Sequence, residues 1–234
     1  MVIKGIIFDK DGTLFDFQSS WGPWLYDFLM HLSKKDRKKL CALASILNFD
    51  LNEKIFYSNS IFIAATIDET VELIAPLLSH MSKTEIINLE TEFQSKLIQV
   101  AVKNLHNILR SLKSRGYSLA VATNDLESSA RFQLRKENLL EIFDCVIGAD
   151  SGYGAKPEAS QLIAVCRSLD LQINQVIMIG DSVGDLIAAK AAGIKSIAVL
   201  TGVASRTDLE PYADFVLSDI SSLVPWLYKE GQIL

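Results

Sequence analysis

The chain has 234 residues, a formal net charge of −5 and a pI of about 5.3. The acidic balance argues against a general attraction to nucleic acid or to anionic membrane surfaces. No apolar run approaches the roughly 20 residues that a membrane-crossing helix needs, and no secretory leader is recognisable at the N-terminus. We therefore expect a cytoplasmic protein with a large core, without nucleic-acid or membrane partners.

The cysteines and histidines predict neither a disulfide framework nor a zinc site. Cys41, Cys145 and Cys166 form no CxxC pair and leave one cysteine over, which is typical of reduced, mostly buried thiols. The three histidines, His31, His80 and His106, are scattered without the spacing of metal ligands.

The first predicted element is a buried strand, VIKGIIFD (2–9), which leads into Asp9-Lys10-Asp11-Gly12-Thr13. Two carboxylates at a strand end are, taken alone, more often a solvated turn than a functional site. We expect Lys10 to face solvent beside them.

Residues 17–100 predict a helical module that interrupts the chain after this strand. Apolar side chains recur every three or four residues from Trp21 to Leu32, as in an amphipathic helix. Two capping boxes, Thr66-x-x-Glu69 and Ser82-x-x-Glu85, predict the starts of two more helices. The ambiguous segment IFYSNSIFIAAT (55–66) is interpreted as helical.

From about residue 102 onward, short β-rich runs alternate with helical stretches. This alternation predicts a parallel sheet with covering helices. Gly116 and Gly193 are expected to end the helices that precede the first and fourth of these strands. The predicted fold is therefore α/β, a doubly wound, Rossmann-like parallel sheet formed by residues 1–16 and 101–234, with an inserted α-helical cap domain at 17–100. The expected strands are YSLAVAT (117–123), FDCVIGA (143–149), QVIMIGD (175–181), SIAVLTG (196–202) and DFVLSD (214–219).

Polar side chains follow several of the predicted strands, at the edge where open parallel sheets bind ligands. These side chains are Asp9, Asp11, Thr123, Asn124, Lys156, Asp181 and Asp185. Oxygen ligands and a few carboxylates are what Mg²⁺ prefers, and Asp9, the backbone carbonyl of Asp11, and Asp181 or Asp185 can supply them. A carboxylate beside Mg²⁺ can attack phosphorus and form an aspartyl-phosphate.

Four motifs in this order, DKDGTL, VATND, AKPE and GDSVGD, resemble those of the haloacid dehalogenase-like (HAD) hydrolase superfamily. The resemblance covers almost the whole chain. The helical module resembles the C1-type cap of that superfamily, and the chain looks most like its phosphoglycolate phosphatase-like branch. One departure is Ala159, which stands where the family often has a second proline.

The resemblance implies a role for each motif residue. It makes Asp9 the nucleophile, Asp11 the general acid/base, and Asp181 and Asp185 Mg²⁺ residues, with Asp181 the more direct ligand. The metal site as a whole is expected from Asp9, Asp11, Asp181 and Asp185. Phosphate is expected to be bound by Gly12, Thr123, Asn124 and Lys156, and Lys156 also stabilises Asp9. Asp16 and Phe17 are candidate hinge residues. Trp21 and Trp24 are interpreted most simply as core of the cap, and one of Phe15, Trp21 or Trp24 is the candidate for a contact with substrate.

The leading hypothesis is a Mg²⁺-dependent phosphomonoester hydrolase acting on a small phosphorylated metabolite, with phosphoglycolate as the first candidate. Two alternatives stay open: a phosphosugar mutase of the same superfamily and a non-hydrolytic phosphoacceptor with a regulatory role. A metal-independent dehalogenase is disfavoured because it lacks an acid at the position of Asp11. A monomer or a homodimer is expected.

Overall fold

The predicted first strand forms at Gly5–Phe8 (β1), and all four of its residues are buried. The structure is a computed structural model that describes residues 2–63 and 65–231. Its contacts divide the chain into two units: Met1–Asp16 with Ala101–Leu234, called the core unit below, and Phe17–Val100, called the helical unit.

The helical unit is built around the predicted amphipathic helix. Both predicted capping boxes form, at Thr66 and at Ser82, and each begins a helix. The buried face of the first helix packs Trp21, Trp24 and Phe28 against one another, with Phe62 beside both tryptophans. The elements are α1 (Phe17–Leu32), α2 (Arg37–Ile46), β2 (Phe49–Asp50), β3 (Ile55–Phe56), α3 (Ile67–Ile74) and α4 (Lys83–Gln94), with 3₁₀ helices at Ile61–Ile63 and Ala75–Leu77.

The helical interpretation of residues 55–66 is wrong. This segment starts with β3, which pairs antiparallel with β2, and continues into a single 3₁₀ turn. The Asp50 carboxylate accepts hydrogen bonds from the backbone N–H groups of Asn52 and Glu53, which closes the turn between the strands. The side-chain amide of Gln18 then pairs with both backbone groups of Phe56. These tertiary hydrogen bonds outweigh the local helical propensity of the segment. Ala64 lies outside the described residues.

The core unit is a six-stranded parallel sheet with helices on both faces, so the predicted α/β fold is confirmed. The strand order is β5 (Cys145–Ile147), β4 (Ser118–Ala122), β1, β6 (Val176–Gly180), β7 (Lys195–Val199) and β8 (Phe215–Leu217). Gly116 and Gly193 follow the helices Leu105–Ser114 and Val183–Ala192 with positive φ, as predicted. The elements are α5 (Leu105–Ser114), β4 (Ser118–Ala122), α6 (Glu127–Lys136), β5 (Cys145–Ile147), α7 (Ser160–Ser168), β6 (Val176–Gly180), α8 (Val183–Ala192), β7 (Lys195–Val199), α9 (Arg206–Leu209), β8 (Phe215–Leu217) and α10 (Leu223–Lys229), with 3₁₀ helices at Leu140–Ile142, Ile173–Gln175 and Ile220–Ser222.

Apolar side chains cover both faces of this sheet. One cluster joins Phe8 and Val121 to α5 and α10, and the other joins Ile7 and Met178 to α7 and α8. Burial on both faces explains why these strands read as nearly continuous apolar runs in the sequence.

Two further sequence expectations concern thiols and membranes. Cys166 is buried and Cys145 is half-buried, but Cys41 is exposed on α2, so the expectation of mostly buried thiols fails at that residue. Among the residues that the structure describes, no helix is long and apolar enough to cross a membrane.

Candidate active site

The register of three neighbouring strands brings the predicted site residues together. Phe8 at the end of β1 lies opposite Val121 of β4 on one side and Ile179 of β6 on the other. The chain leaves these strands into Asp9, Thr123 and Asp181, so the three polar residues emerge at one edge of the sheet. The central position of β1 therefore puts Asp9 between the other two.

Three aspartates at this edge form a buried acidic cluster. One carboxylate oxygen from each of Asp9, Asp181 and Asp185 lies within 4.8 Å of the other two. The residues are 9%, 2% and 1% exposed, respectively. Such a convergence of buried carboxylate oxygens suits a hard cation such as Mg²⁺. The carboxylate of Asp11 is not part of this cluster, which accords with the expectation that Asp11 contributes its backbone carbonyl.

Lys156 is the cation of this cluster. Its Nζ donates to Oδ1 of Asp9 and to Oδ1 of Asp185, each at 2.6 Å. Burial alone would lower the pKa of Lys156, but the carboxylates of Asp185 and Asp9 raise it above its ordinary value. Lys156 is therefore charged and joins two of the three acidic side chains.

The acidic cluster of Asp9, Asp181 and Asp185 contains more negative charge than Lys156 can neutralise. Burial raises the pKa of Asp9 to about 7, because the charges of Asp185 and Asp11 add to the effect of burial while Lys156 opposes it. Burial, together with the charges of Asp9 and Asp185, also raises the pKa of Asp181 well above its ordinary value. One lysine therefore cannot balance the cluster, and a bound divalent cation would keep its carboxylates ionised.

The position of Asp181 is fixed by the loop after β1 and by the loop after β7. Thr13 donates a hydrogen bond of 3.0 Å from Oγ1 to Asp181 Oδ1. Gly12 adopts a φ of +87°, and a Cβ there would lie 2.1 Å from Asp181 Oδ2. A Cβ on Gly202 would lie 1.8 Å from the same oxygen. Only glycines allow both loops to approach Asp181 this closely.

The Asp185 carboxylate is held by the residue that caps its own helix. Ser182 caps α8, and its N–H and hydroxyl both donate to Asp185 Oδ2, at 3.0 Å and 2.7 Å. With Oδ1 bound by Lys156, both oxygens of Asp185 are engaged. At Asp181 the hydrogen bond from Thr13 goes to Oδ1. That Asp181 binds the metal more directly than Asp185 stays a prediction.

Thr123 and Asn124 have different surroundings. Oγ1 of Thr123 accepts a hydrogen bond of 3.2 Å from the N–H of Asp125, which leaves the hydroxyl hydrogen for donation to a phosphate. Asn124 instead pairs with the backbone of Lys156: its Nδ2 donates to the carbonyl and its Oδ1 accepts from the N–H, both at 2.9 Å. The structure thus uses Asn124 to position Lys156, a task that differs from the expected phosphate contact.

The prediction that Lys10 faces solvent is wrong. Its side chain is 0% exposed and forms ion pairs with Asp11 and with Asp125, the latter at 3.0 Å. Its Nζ also donates to Oε1 of Gln133 at 2.5 Å. Burial lowers the pKa of Lys10, but the two carboxylates outweigh burial and raise it. Gln133 lies outside the four motifs, and the sequence analysis gave no role to Asp125, the last residue of VATND, so neither partner of Lys10 was predicted.

The aromatic residues expected near the substrate are buried in their own units. Phe15 is 0% exposed and belongs to the apolar cluster of the core unit. Trp21 and Trp24 lie in the aromatic cluster of the helical unit. A contact between one of them and substrate stays a prediction, since Asp9 and Lys156 are similarly buried. Asp16 and Phe17, the predicted hinge residues, lie on either side of the boundary between the units, and their role as a hinge stays a prediction.

Several positioning residues were not singled out from the sequence. Thr201 donates to the carbonyl of Gly12 at 2.6 Å, and Gln161 donates to the carbonyl of Thr123 at 3.1 Å. Their partners are distant in sequence, so no local pattern indicates them. Ser182 was detectable, because Ser182-x-x-Asp185 has the spacing of a capping box.

Comparisons with known proteins agree with this geometry. A family model described as haloacid dehalogenase-like hydrolase matches residues 6–199. Pyrophosphatase PpaX of Bacillus mycoides (strain KBAB4) is 24% identical over 98% of this chain and 99% of its own length. Phosphoglycolate phosphatase of Nitrosospira multiformis (strain ATCC 25196) is 25% identical over 99% of this chain and 96% of its own. Among solved structures, a predicted phosphoglycolate phosphatase from Haemophilus somnus 129pt superimposes with a TM-score of 0.73 at 20% identity, over 96% of this chain and 97% of that chain.

Proposed function

Because the chain belongs to the haloacid dehalogenase-like hydrolase family, we propose that it is a Mg²⁺-dependent phosphomonoester hydrolase that works through an aspartyl-phosphate on Asp9. The observation that carries the proposal is the position of the Asp9 carboxylate, 2.6 Å from Lys156 Nζ and beside the carboxylates of Asp181 and Asp185. The substrate class is a small phosphorylated metabolite.

The family prediction, including the phosphoglycolate phosphatase-like branch, is confirmed by the family model and by the relatives named above. The prediction of an enzyme, a phosphatase of this family, is confirmed by the same match together with the phosphatase-named relatives. The metal, the intermediate, the residue roles and the substrate are proposals.

Charge balance supports the metal. Lys156 pairs with Asp9 and Asp185, whose carboxylates cluster with that of Asp181. Lys10 pairs with Asp11 and Asp125. Five carboxylates therefore face two ammonium groups. Asp9, Asp181 and the backbone carbonyl of Asp11 would hold Mg²⁺, with Asp185 supporting it. Bound there, Mg²⁺ would neutralise charge on the transferring phosphoryl group.

Asp9 is suited to attack phosphorus because its position is fixed. Its N–H donates to the carbonyl of Ile179 at 2.8 Å, and Lys156 holds its side chain. A fixed carboxylate loses little freedom on reaching the attacking position. In the proposed reaction a carboxylate oxygen of Asp9 bonds to phosphorus, and the ester oxygen leaves with the bonding electron pair.

Asp11 is placed to move protons in both halves of the reaction. Its side chain is 13% exposed, so a leaving oxygen or a water molecule can reach it. It would protonate the leaving oxygen in the first half. In the second it would accept a proton from the water that releases phosphate from Asp9.

Donors for the phosphoryl oxygens come from two loops. Thr123 offers its hydroxyl hydrogen and Lys156 offers an ammonium, whereas the N–H of Gly12 already donates to the carbonyl of Phe15 at 2.7 Å. Preorganised donors of this kind stabilise the charge of the transition state.

The names of the relatives suggest two substrates to test first. Phosphoglycolate remains the leading candidate. Pyrophosphate is the second, because Pyrophosphatase PpaX matches nearly the whole chain. A mutase would require the phosphoryl group to return to a sugar, which a panel of substrates can detect.

The test is phosphate release from phosphoglycolate, pyrophosphate and sugar phosphates, with Mg²⁺ and with a chelator, by wild type and Asp9→Asn. The matched control is Asp170→Asn, because Asp170 is an exposed aspartate with φ of +52°, a conformation that asparagine also tolerates. Mg²⁺-dependent release that is lost only in Asp9→Asn is the expected result. Isomerisation of a sugar phosphate without net release would favour the mutase, and no turnover of any compound would contradict the proposal.

A further inference from the structure

We propose that Lys10 is a positioning residue that holds the Asp11 carboxylate in place for proton transfer, with Asp125 as its second anchor. The inference rests on the proposed function, because it assigns a support to the general acid/base of that reaction. It concerns a residue that lies between the two motif aspartates.

The ammonium group of Lys10 donates hydrogen bonds to the side chains of Asp11 and Gln133, the latter at 2.5 Å. It also forms an ion pair with Asp125, whose Oδ2 lies 3.0 Å from Nζ. The side chain is fully buried, and water does not compete for it.

The acceptors other than Asp11 lie on or next to α6. Gln133 is on that helix and is 2% exposed, and Asp125 lies two residues before its first residue. The turn that carries Lys10 is itself closed by backbone hydrogen bonds from Leu14 and Phe15 to the Lys10 carbonyl. Lys10 therefore ties the Asp11 carboxylate to α6.

A role in stability alone explains this arrangement poorly. Burying an ion pair costs desolvation energy that its attraction often fails to recover, and an apolar side chain of similar volume would fill the space as well. An ion pair, in contrast to an apolar contact, also fixes the orientation of the Asp11 carboxylate. Asp11 sits in a turn, and a general acid has to lie within hydrogen-bond reach of the leaving oxygen.

The proposal predicts a leaving-group effect. Phenyl phosphate and p-nitrophenyl phosphate have similar shapes, but the nitrophenolate leaves readily without a proton. A badly placed Asp11 should therefore harm phenyl phosphate more. In a covalent mechanism kcat/KM reports the steps up to departure of the leaving group, so kcat/KM is the quantity to compare.

The variant of choice is Lys10→Met/Asp125→Asn, which removes one charge of each sign and releases the Asp11 carboxylate, 13% exposed, from its ion pair without leaving Asp125 charged and buried. We expect the ratio of kcat/KM for p-nitrophenyl phosphate to kcat/KM for phenyl phosphate to rise about tenfold, a fraction of the effect of a general acid. Asp11→Asn should raise the same ratio. Lys113→Met, which removes a lysine from an ion pair with Asp144 on the surface of the same unit, should leave the ratio unchanged.

An unchanged ratio in the double variant would overturn the proposal. If wild type hydrolyses neither ester but releases phosphate from a compound of the panel above, the proposed function stands, and crystal structures of wild type and double variant decide the question for Lys10. Failure of the proposed function is recognised separately, by the absence of turnover of any compound in that panel. Displacement of the Asp11 carboxylate by about 1 Å or more, a shift large enough to impair catalysis, supports the positioning role. A carboxylate that stays in its wild-type position contradicts it.

Discussion

Asn124 and Lys156 are joined by two hydrogen bonds of 2.9 Å between the side-chain amide of Asn124 and the backbone of Lys156. These bonds connect the loop after β4 to the loop that carries the lysine. The same lysine reaches Asp9 and Asp185. The Asn124 amide thus fixes the backbone position from which the Lys156 side chain extends to the acidic cluster.

Replacing this amide should impair catalysis without unfolding the protein. We expect Asn124→Ala to lower kcat/KM by about 10²-fold, because small displacements of a catalytic group have effects of this size. Steady-state kinetics measures the loss. The exposed Asn174→Ala serves as the control and should keep its activity. Wild-type kinetics in Asn124→Ala would show that Lys156 does not depend on this clamp.

A methyl group at Gly202 should weaken metal binding. Its Cβ would lie 1.8 Å from Asp181 Oδ2, so the Asp181 carboxylate has to move. We expect Gly202→Ala to need a higher Mg²⁺ concentration for half-maximal activity, measured by Mg²⁺ titration. In Gly184→Ala the new Cβ meets only Ser182 Oγ, at 3.5 Å, and this variant should bind Mg²⁺ normally. Equal Mg²⁺ requirements in the two variants would contradict the assignment of Asp181.

The metal-free protein should lose stability as the pH rises. The pKa of Asp9 is raised from 3.8 to about 7, so between these values the folded state binds more protons than the unfolded state. The free energy of unfolding therefore falls as the pH rises through this window. Thermal unfolding with a chelator checks the sign. The Asp9→Asn variant, which cannot titrate at this position, should show a shallower fall.

Mg²⁺ should oppose this loss. Protons and Mg²⁺ compete for the same carboxylates, so Mg²⁺ should raise Tm more at about pH 7.5 than at about pH 5. An equal shift at both values would indicate that Mg²⁺ binds elsewhere.

The cap of α8 should affect activity as well as stability. Ser182→Ala removes a capping residue and should cost about 1 kcal/mol of unfolding free energy. It also removes the hydroxyl that holds Asp185 Oδ2, so kcat/KM should fall. Ser82→Ala removes the same kind of capping box from α4 and should cost similar stability with unchanged kinetics. Loss of stability without loss of activity in Ser182→Ala would limit its role to the helix.

The sheet could be predicted from the sequence because its strands are apolar on both faces and because glycines end the helices before two of them. Gly116 and Gly193 ended helices where expected, and the order of the motifs placed Asp9, Thr123 and Asp181 at one edge. These features are local, or follow from the rule that the carboxyl ends of parallel strands share an edge.

What could not be predicted depends on tertiary partners. Lys10 was predicted to face solvent because its hydrogen-bond acceptor Gln133 lies 123 positions away in the sequence. The strand Ile55–Phe56 forms because Gln18 binds the backbone of Phe56. In both cases a side chain distant in sequence decides the outcome, and no local pattern carries that information.

The most direct test of the central claim is to trap the intermediate. Wild type would be mixed with Mg²⁺ and its best substrate, quenched rapidly, reduced with borohydride and analysed by peptide mass spectrometry. An aspartyl-phosphate is an acyl phosphate, which borohydride reduces to an alcohol, so the account predicts conversion of Asp9, and of no other aspartate, to homoserine. Phosphate release by wild type with Asp9 unmodified, or with the modification on a different aspartate, would contradict it.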